Sequence, residues 1–275
     1  MLRGEGGERK RTRFLRDRKL VGRLRRTYTG GRRGTEDMRM FLLFVLALAL
    51  PLPAQDPVLV NPKIVKVEFE NDRVRVLRVR LCPHERLAMH SHPASAIVRL
   101  TERSARIIAR DGSSRDVQGS AGEFTWQEPT THAVENLRNQ PMENIEIEFK
   151  IAAAPSIAAS APVHPAAPGP SGEPVALQDE PHHRWRFENQ YTRVLEVVLA
   201  PGESTLFHTH SHDSIAVRLN QAVVQRQYLG KEWDAPERLE AGGVHFAEGT
   251  KKPYTHRVKN VGSTTFHVYD IELLP

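Results

Sequence analysis

The sequence predicts an all-β protein built from two similar lobes. Apolar residues alternate with charged ones over stretches such as Arg73–Leu81, and this period of two is typical of half-buried strands. Sustained helical periodicity is absent after residue 60, while turn formers such as Gly242-Gly243 recur between the strands. A long internal repeat divides the strands into two sets of the same kind.

The positive charge of the chain is concentrated at its N-terminus. The 275 residues carry a formal net charge of +6, yet residues 1–37 contain 13 Lys or Arg against 5 Asp or Glu, a local charge of +8, so that the remainder sums to −2. Because one Gly/Arg-rich leader accounts for the basic composition, no nucleic-acid partner is expected for the folded part.

An apolar run of ten residues, 41–50, follows the leader. It is too short to cross a bilayer of about 30 Å as a helix. With a short positive start before it and the small residue Ala54 after it, it has the form of a signal peptide over 38–54. We expect an exported protein, periplasmic or secreted, that is cleaved before Gln55 and has no membrane span thereafter.

A signal peptide at this position leaves the basic leader, residues 1–37, without a role. We therefore interpret the leader as the product of a mis-assigned start codon, with the true start at Met38 or Met40. Two alternatives to this signal peptide are left open. The apolar run 41–50 could be a buried helix, or the chain could carry a twin-arginine signal, although Arg32-Arg33 is followed by polar rather than apolar residues.

Cys82 is the only cysteine, so the chain cannot form an internal disulfide. It precedes Pro83 at a predicted strand end, where we expect a small buried residue rather than a reactive thiol. The fold must therefore depend on its apolar core.

The internal repeat has a constant offset of 118 residues over its first half. Phe69-Glu-Asn71 recurs as Phe187-Glu-Asn189, and His90-Ser-His92 recurs as His208-Thr-His210. After insertions in the second copy the agreement continues, and Thr131–Asn136 matches Thr255–Asn260. Such ordered agreement indicates two copies of one structural unit.

The repeat sets the domain boundaries. Lobe one covers 61–151 and lobe two covers 181–275. Between them, residues 152–180 are rich in Ala and Pro and contain too few apolar side chains for a core, as is typical of a linker. Three histidines in or beside this linker, His164, His182 and His183, are expected to be solvated.

Two His-x-His pairs recur in register, one in each lobe. In a strand, residues i and i+2 project from the same face, so His90 points with His92 and His208 points with His210. A third histidine follows about forty residues later in each lobe, His132 or His256. Three neutral imidazoles are a suitable ligand set for one divalent ion. A lone pair of this kind is as often a surface or core feature, but its recurrence favours a metal site in at least one lobe.

These residues resemble the motifs of the cupin superfamily. The first cupin motif has a glycine, five residues and His-x-His, as at Gly202, His208 and His210. The second has a proline, a short turn, a histidine and then an asparagine, as in Pro129–Asn136 and Pro253–Asn260. The resemblance implies two tandem small jelly-roll β-barrels joined by the Ala/Pro-rich linker, an arrangement called a bicupin.

Both lobes depart from the cupin pattern. The glutamate of the first motif would fall at Ser95 or Ala96 in lobe one and at Ser214 or Ile215 in lobe two, and lobe one has His84 in place of the motif glycine. The ligand set resembles the three-histidine subset, which includes thiol dioxygenases and gentisate-type ring-cleaving enzymes.

Lobe two offers two substitutes for the missing carboxylate. His212 continues the alternation of His208 and His210, and Asp213 adjoins it. The alternative is that both belong to an exposed turn. Arg99 and Arg218 occupy equivalent places in apolar strands, where an inward guanidinium could hold a carboxylate substrate, or could instead lie outside.

Two functions from different classes fit these features. The first is a metal-binding bicupin that acts as an Fe(II)-dependent dioxygenase-like enzyme on an unidentified small molecule, with Mn, Ni or Zn as alternative metals. The second is a non-catalytic metal- or ligand-binding bicupin of the cell envelope, which the missing glutamates favour. A purely structural barrel is a third. Exposed barrel edges also suggest a homodimer.

Overall fold

A computed structural model describes residues 55–150 and 172–275. The predicted leader, the signal peptide and most of the linker therefore lie outside the described residues. The described chain consists mainly of strands, with one short helix, α1 (Pro57–Val60), and a 3-10 helix at Leu177–Asp179. Neither helix has the length and apolar character to span a membrane.

Lobe one forms two antiparallel sheets. The five-stranded sheet has the order β1-β2-β9-β4-β7, and the four-stranded sheet has the order β3-β8-β5-β6. Strands β2 to β9 thus pass between two facing sheets in the order of a jelly roll, with β5 and β6 adjacent in the same sheet. The strands are β1 (Val65–Glu70), β2 (Val74–Leu81), β3 (Arg86–His92), β4 (Ser95–Arg99), β5 (Arg103–Ala109), β6 (Ser114–Gly119), β7 (Phe124–Gln127), β8 (Thr130–Asn136) and β9 (Met142–Phe149).

Lobe two repeats this topology strand for strand. Its sheets have the orders β10-β11-β18-β13-β16 and β12-β17-β14-β15. The prediction of an all-β protein with two tandem jelly-roll barrels is therefore confirmed. The strands are β10 (His183–Glu188), β11 (Thr192–Leu199), β12 (His208–His210), β13 (Asp213–Arg218), β14 (Ala222–Tyr228), β15 (Glu237–Leu239), β16 (Val244–Glu248), β17 (Tyr254–Asn260) and β18 (Phe266–Leu273).

Each barrel has its own apolar interior at one end. In lobe one, Leu77, Val79 and Leu81 of β2 point inward and pack with Leu87 and Met142. In lobe two, a smaller group that includes Val197, Leu199 and Phe266 occupies the equivalent place. The rest of each barrel interior is lined by polar side chains, and the histidines lie there.

A third apolar cluster joins the two lobes. It contains Val74 and Val76 of β2 together with Ile215 and Ile271 of lobe two. These residues project from the outer faces of the five-stranded sheets, so those sheets are buried on both sides. Strand periodicity alone does not predict this shared cluster, because the partner of each outer face lies in the other lobe.

Aromatic side chains extend the contact between the lobes. The rings of Phe69 and Phe246 stack with centroids 4.4 Å apart, and those of Trp126 and Phe187 stack at 5.4 Å. In addition, the Tyr269 hydroxyl of lobe two donates a hydrogen bond of 2.9 Å to the Gly122 carbonyl of lobe one. These aromatic residues are therefore part of the interface between the lobes.

The turn before each His-x-His strand requires a left-handed backbone. Gly202 has φ 88° in lobe two, and His84, which replaces the motif glycine in lobe one, has φ 58°. The imidazole of His84 compensates in part for this conformation, because its Nε2 lies 2.8 Å from Oδ1 of Asn139. The turn therefore keeps its shape without glycine.

Two local expectations need correction. Cys82 is exposed rather than buried, because it lies in the turn after β2. The chain also packs on lobe two before residue 181: Val175 forms a parallel bridge with His208, and Leu177 and Glu180 are buried. The described part of the predicted linker, from residue 172, thus belongs to the wall of lobe two.

Candidate metal centres

Three histidines converge inside lobe one, as the sequence predicts. Strands β3 and β8 are paired, with His90 directly opposite His132. His90 and His92 are 0% and 5% exposed. One nitrogen from each of His90, His92 and His132 lies within 4.8 Å of the others, which is close enough for a shared ion after small side-chain movements.

The imidazoles of lobe one have nitrogens available for an ion. Nδ1 of His90 lies 2.6 Å from the Ala88 carbonyl, which can only accept, so this nitrogen carries the proton. Nε2 of His90 is buried and has no hydrogen-bond partner among the described residues. Burial lowers the pKa of His90 to about 4, and burial together with the neighbouring imidazoles lowers the pKa of His132 to about 3. Both rings are neutral at physiological pH.

His92 differs because two carboxylates lie against it. Its Nδ1 is 2.7 Å from Glu148 and 3.2 Å from Glu146. Burial alone lowers the pKa of His92, but the charges of Glu146 and Glu148 outweigh burial and raise it. Glu148 is held in turn by Arg75, whose Nη2 lies 2.6 Å from it. With Nδ1 engaged in this way, Nε2 of His92 is left as its ligand atom.

Buried carboxylates approach the histidines from the last strand of each lobe. Glu146 and Glu148 of β9 point into barrel one, and His92, Glu146 and Glu148 form a second group that could hold an ion. Asp270 and Glu272 of β18 are their counterparts, at the same offset as His132 and His256. That shared offset is a sequence signal that could have identified them.

The predicted histidines of lobe two also meet. His208 lies directly opposite His256 in the pairing of β12 with β17. The ring centroid of His208 is 4.9 Å from that of His210 and 4.7 Å from that of His256. Burial, reinforced by neighbouring imidazoles, lowers the pKa of His210 to about 3 and that of His256 to about 2, so these rings are neutral.

Lobe two contains a fourth buried histidine, His183, for which the sequence predicts a solvated position. His183 opens β10 and is 8% exposed. One nitrogen each of His183, His208 and His210 lies within 4.8 Å of the others. The prediction of a solvated residue is therefore wrong for His183, because the segment before it already packs on lobe two through Val175 and Leu177. Its sequence neighbour His182 is only partly buried.

The two suggested substitutes for the cupin glutamate do not join the cluster. His212 is partly exposed, with Nδ1 3.7 Å from a Glu272 oxygen. Asp213 lies at the barrel rim, where it accepts a hydrogen bond from the Thr250 amide. The alternative of an exposed turn is not met either, because Asp213 opens β13 and its side chain is only 13% exposed. Asp270 takes the inward place instead, with an oxygen 3.4 Å from Nδ1 of His210.

The two barrels enclose very different amounts of space. The cavity beside the lobe-one histidines has a volume of about 50 Å³, whereas that of lobe two has about 290 Å³. The first could hold an ion with one or two waters, and the second approaches the lower size of small-molecule sites. The side chains of Tyr228, His245 and Tyr254 help to line the larger cavity.

The two arginines both point inward, but only one is paired. Arg99 lines the cavity of lobe one, and its Nε lies 3.1 Å from Glu123. Arg218 lines the cavity of lobe two, and its guanidinium has no hydrogen bond or ion pair within the described part of the chain. The difference follows from the sequence, because Gly243 stands where lobe one has Glu123.

Comparison with known proteins bears on the fold alone. No protein-family model and no curated protein matches the sequence. The structure of AerE from Microcystis aeruginosa is similar at 14% identity over 77% of this chain and 98% of that chain, with a TM-score of 0.51. A salicylate 1,2-dioxygenase variant from Pseudoaminobacter salicylatoxidans has 11% identity, coverage of 86% and 81%, and a TM-score of 0.49. A cupin domain from Bordetella pertussis Tohama I has 23% identity, coverage of 37% and 100%, and a TM-score of 0.31.

Proposed function

From its two cupin-fold barrels and the histidine clusters inside them, we propose that this protein is a metal-dependent bicupin whose lobe two acts on a small anionic molecule. The observation that carries the proposal is the cavity of about 290 Å³ in lobe two, which contains converging neutral imidazoles and the unpaired guanidinium of Arg218. We further propose a dioxygenase-like activity.

The side chains present fit a divalent ion. Burial lowers the pKa of His208 well below its ordinary value, and its Nδ1–H donates a hydrogen bond to the Leu206 carbonyl, so Nε2 remains available as a ligand. Nδ1 of His256 is buried without a hydrogen-bond partner in the described structure. Neutral imidazole is a good ligand for Fe(II), Mn, Ni or Zn, and we favour Fe(II) because three such ligands leave positions open. A bound Fe(II) would supply the redox chemistry that reactions with oxygen require.

The remaining side chains of the cavity would bind and orient the substrate. Arg218 is suited to a carboxylate because a guanidinium offers two parallel donors. Burial raises the pKa of Tyr254, so its hydroxyl stays protonated and can donate a hydrogen bond into the cavity. The aromatic faces of Tyr228 and Tyr254 would pack against an apolar part of the same molecule.

The small cavity and the paired arginine of lobe one favour a different, non-catalytic role for that lobe. Its cavity of about 50 Å³ is much smaller than that of lobe two, at about 290 Å³, and Arg99 is already paired with Glu123. We therefore propose that lobe one is a metal site that binds without reaction, as expected of a non-catalytic cupin. Export to the cell envelope or the medium is part of the same proposal and rests on residues 38–54 of the sequence alone.

Metal analysis and oxygen uptake test this division of roles. Protein purified without chelators and loaded anaerobically with Fe(II) would be mixed with a panel of small thiols and phenolic acids, and oxygen consumption recorded. We expect consumption that depends on one of these compounds, that is abolished in His208→Ala/His210→Ala and that persists in His90→Ala/His92→Ala. Equal loss in both variants would contradict the assignment to lobe two, and wild-type protein that retains no metal would refute the metal proposal itself.

A further inference from the structure

We propose that His183 is a fourth imidazole ligand of the lobe-two metal, and that Glu180 is the residue that positions it. The inference rests on the proposed metal site of lobe two and adds a ligand from outside the predicted motifs. It is carried by the placement of His183, by the hydrogen bonds of Glu180 and by a difference between the two lobes.

His183 lies within the cluster rather than beside it. Its ring centroid is 4.5 Å from that of His208 and 6.2 Å from that of His210. Its side chain is 4% exposed, and it lines the same cavity as the predicted ligands. A buried imidazole at this distance is within reach of an ion held by His208 and His210.

Glu180 fixes the direction in which His183 points. Nδ1 of His183 lies 2.6 Å from Oε2 of Glu180, whose side chain is fully buried. The same carboxylate accepts hydrogen bonds from the backbone amides of His182, at 2.9 Å, and of Leu206, at 3.0 Å. Because backbone donors hold Glu180 in place, Nδ1 of His183 carries the proton and Nε2 is left as the ligand atom. Metal-binding histidines are commonly oriented by a carboxylate in this way.

Lobe one has no counterpart of this pair. At the offset of 118 residues, His183 corresponds to Val65 and Glu180 corresponds to Pro62. Val65 is 0% exposed and belongs to the apolar interior of lobe one. The difference is therefore specific to the barrel with the larger cavity, and it defines a substitution, His183→Val, that copies what the fold already accepts in lobe one.

A competing account gives the opposite expectation. If His183 were a permanent imidazolium paired with Glu180, its positive charge would oppose a cation at the cluster. Removing His183 would then leave metal affinity unchanged or increase it. Metal affinity thus separates a ligand from a structural ion pair.

Titration with Co²⁺ in competition with a chromophoric chelator is the test. The parent protein would be the full chain with His90→Ala/His92→Ala, so that lobe two is read alone, and circular dichroism and thermal unfolding would confirm folding. We expect His183→Val to weaken Co²⁺ binding at least 10- to 100-fold and Glu180→Gln to weaken it less, while the control His182→Ala binds like the parent.

Unchanged or tighter Co²⁺ binding in His183→Val would overturn the inference. A parent protein that binds no Co²⁺ would instead contradict the proposed metal site itself, whatever the role of His183. If His183→Val fails to fold, the Co²⁺-loaded parent decides the question by NMR. Four exchangeable imidazole N–H signals shifted by the paramagnetic ion support the inference, and three contradict it.

Discussion

Arg218 and Arg99 occupy equivalent positions, and the residue beside each decides what its guanidinium can bind. Glu123 neutralises Arg99, whereas Gly243 leaves Arg218 open to an anion in the cavity. We predict that Arg218→Met raises the KM of the proposed lobe-two reaction about 10- to 100-fold, because it removes the donor of a charge-assisted hydrogen bond to an anionic substrate. Initial rates of oxygen uptake measure this. Arg99→Met is the matched control, and an equal effect there would argue against substrate binding by Arg218.

Glu148 illustrates a residue that acts through another. It lies between His92 and Arg75, and its contact with Nδ1 of His92 leaves Nε2 of that ring as the ligand atom. We predict that Glu148→Gln weakens metal binding in lobe one about 10- to 100-fold, because the amide no longer provides a charged acceptor for Nδ1–H. Chelator competition in the His208→Ala/His210→Ala background measures this. Glu70→Gln is the control, since Glu70 pairs with Lys150 away from the site; a comparable loss in that variant would contradict the specific role of Glu148.

Strand β9 shows how one element can serve two buried faces. Its isoleucines, Ile145 and Ile147, join the cluster between the lobes, while Glu146 and Glu148 point into barrel one. A strand of alternating Ile and Glu ordinarily buries Ile in its own core and exposes Glu. Here the orientation is reversed relative to the barrel, because the outer face of the sheet is covered by the other lobe. Charged residues can therefore line the interior and hold the histidines.

The double burial of β9 predicts a large stability cost for truncating its outer face. Ile147→Ala should lower the free energy of unfolding by about 2–5 kcal/mol, since Ile147 is 0% exposed and the cavity left behind cannot collapse fully. Denaturant unfolding followed by circular dichroism measures the change. Leu59→Ala should alter stability by less than about 0.5 kcal/mol, because Leu59 is 81% exposed. If the two variants were equally stable, the cluster between the lobes would not be an essential contact.

At the scale of the whole molecule, the two barrels are joined by more than the chain between them. The shared apolar cluster and the hydrogen bond from Tyr269 to Gly122 both cross from one lobe to the other. Separation of the lobes would expose this apolar surface to water, which is unfavourable. The lobes are thus two barrels in topology but one unit in packing.

This packing refines the expected result of limited proteolysis. We predict that the first cleavage falls between Ala152 and Ser171, where the sequence is rich in Ala and Pro, and that the two fragments still co-elute in gel filtration. Denaturant should be needed to separate them, because the cluster between the lobes does not depend on the linker. An initial cut inside a lobe would count against the boundaries, and fragments that separate at once would count against the interface.

The export hypothesis makes a separate prediction about the N-terminus. The apolar run 41–50 and the small residue Ala54 indicate that the mature chain begins at Gln55. N-terminal sequencing of protein recovered from the periplasm or medium measures this. A mature protein that retains residues 1–37 would contradict both the signal peptide and the proposed start at Met38 or Met40.

The sequence by itself determined the class of fold, the number of lobes and most of the histidines of the candidate sites. Strand periodicity and the repeat are local or translational patterns, so they can be read without coordinates. The pairs His90/His92 and His208/His210 are equally local, since residues i and i+2 of a strand always share a face. His132 and His256 were recognised because the repeat carried them in register.

Only the tertiary structure decided which face of each strand lines a barrel interior and which residues that face contacts. Glu146, Glu148, Asp270 and Glu272 entered the sites because the lobes bury one another's outer faces, a non-local event that strand alternation does not encode. The prediction of a solvated position for His183 was wrong for a similar reason, since the segment before β10 packs on lobe two through Val175 and Leu177. Periodicity identifies a buried face, but which partner buries that face depends on contacts between residues far apart in the chain.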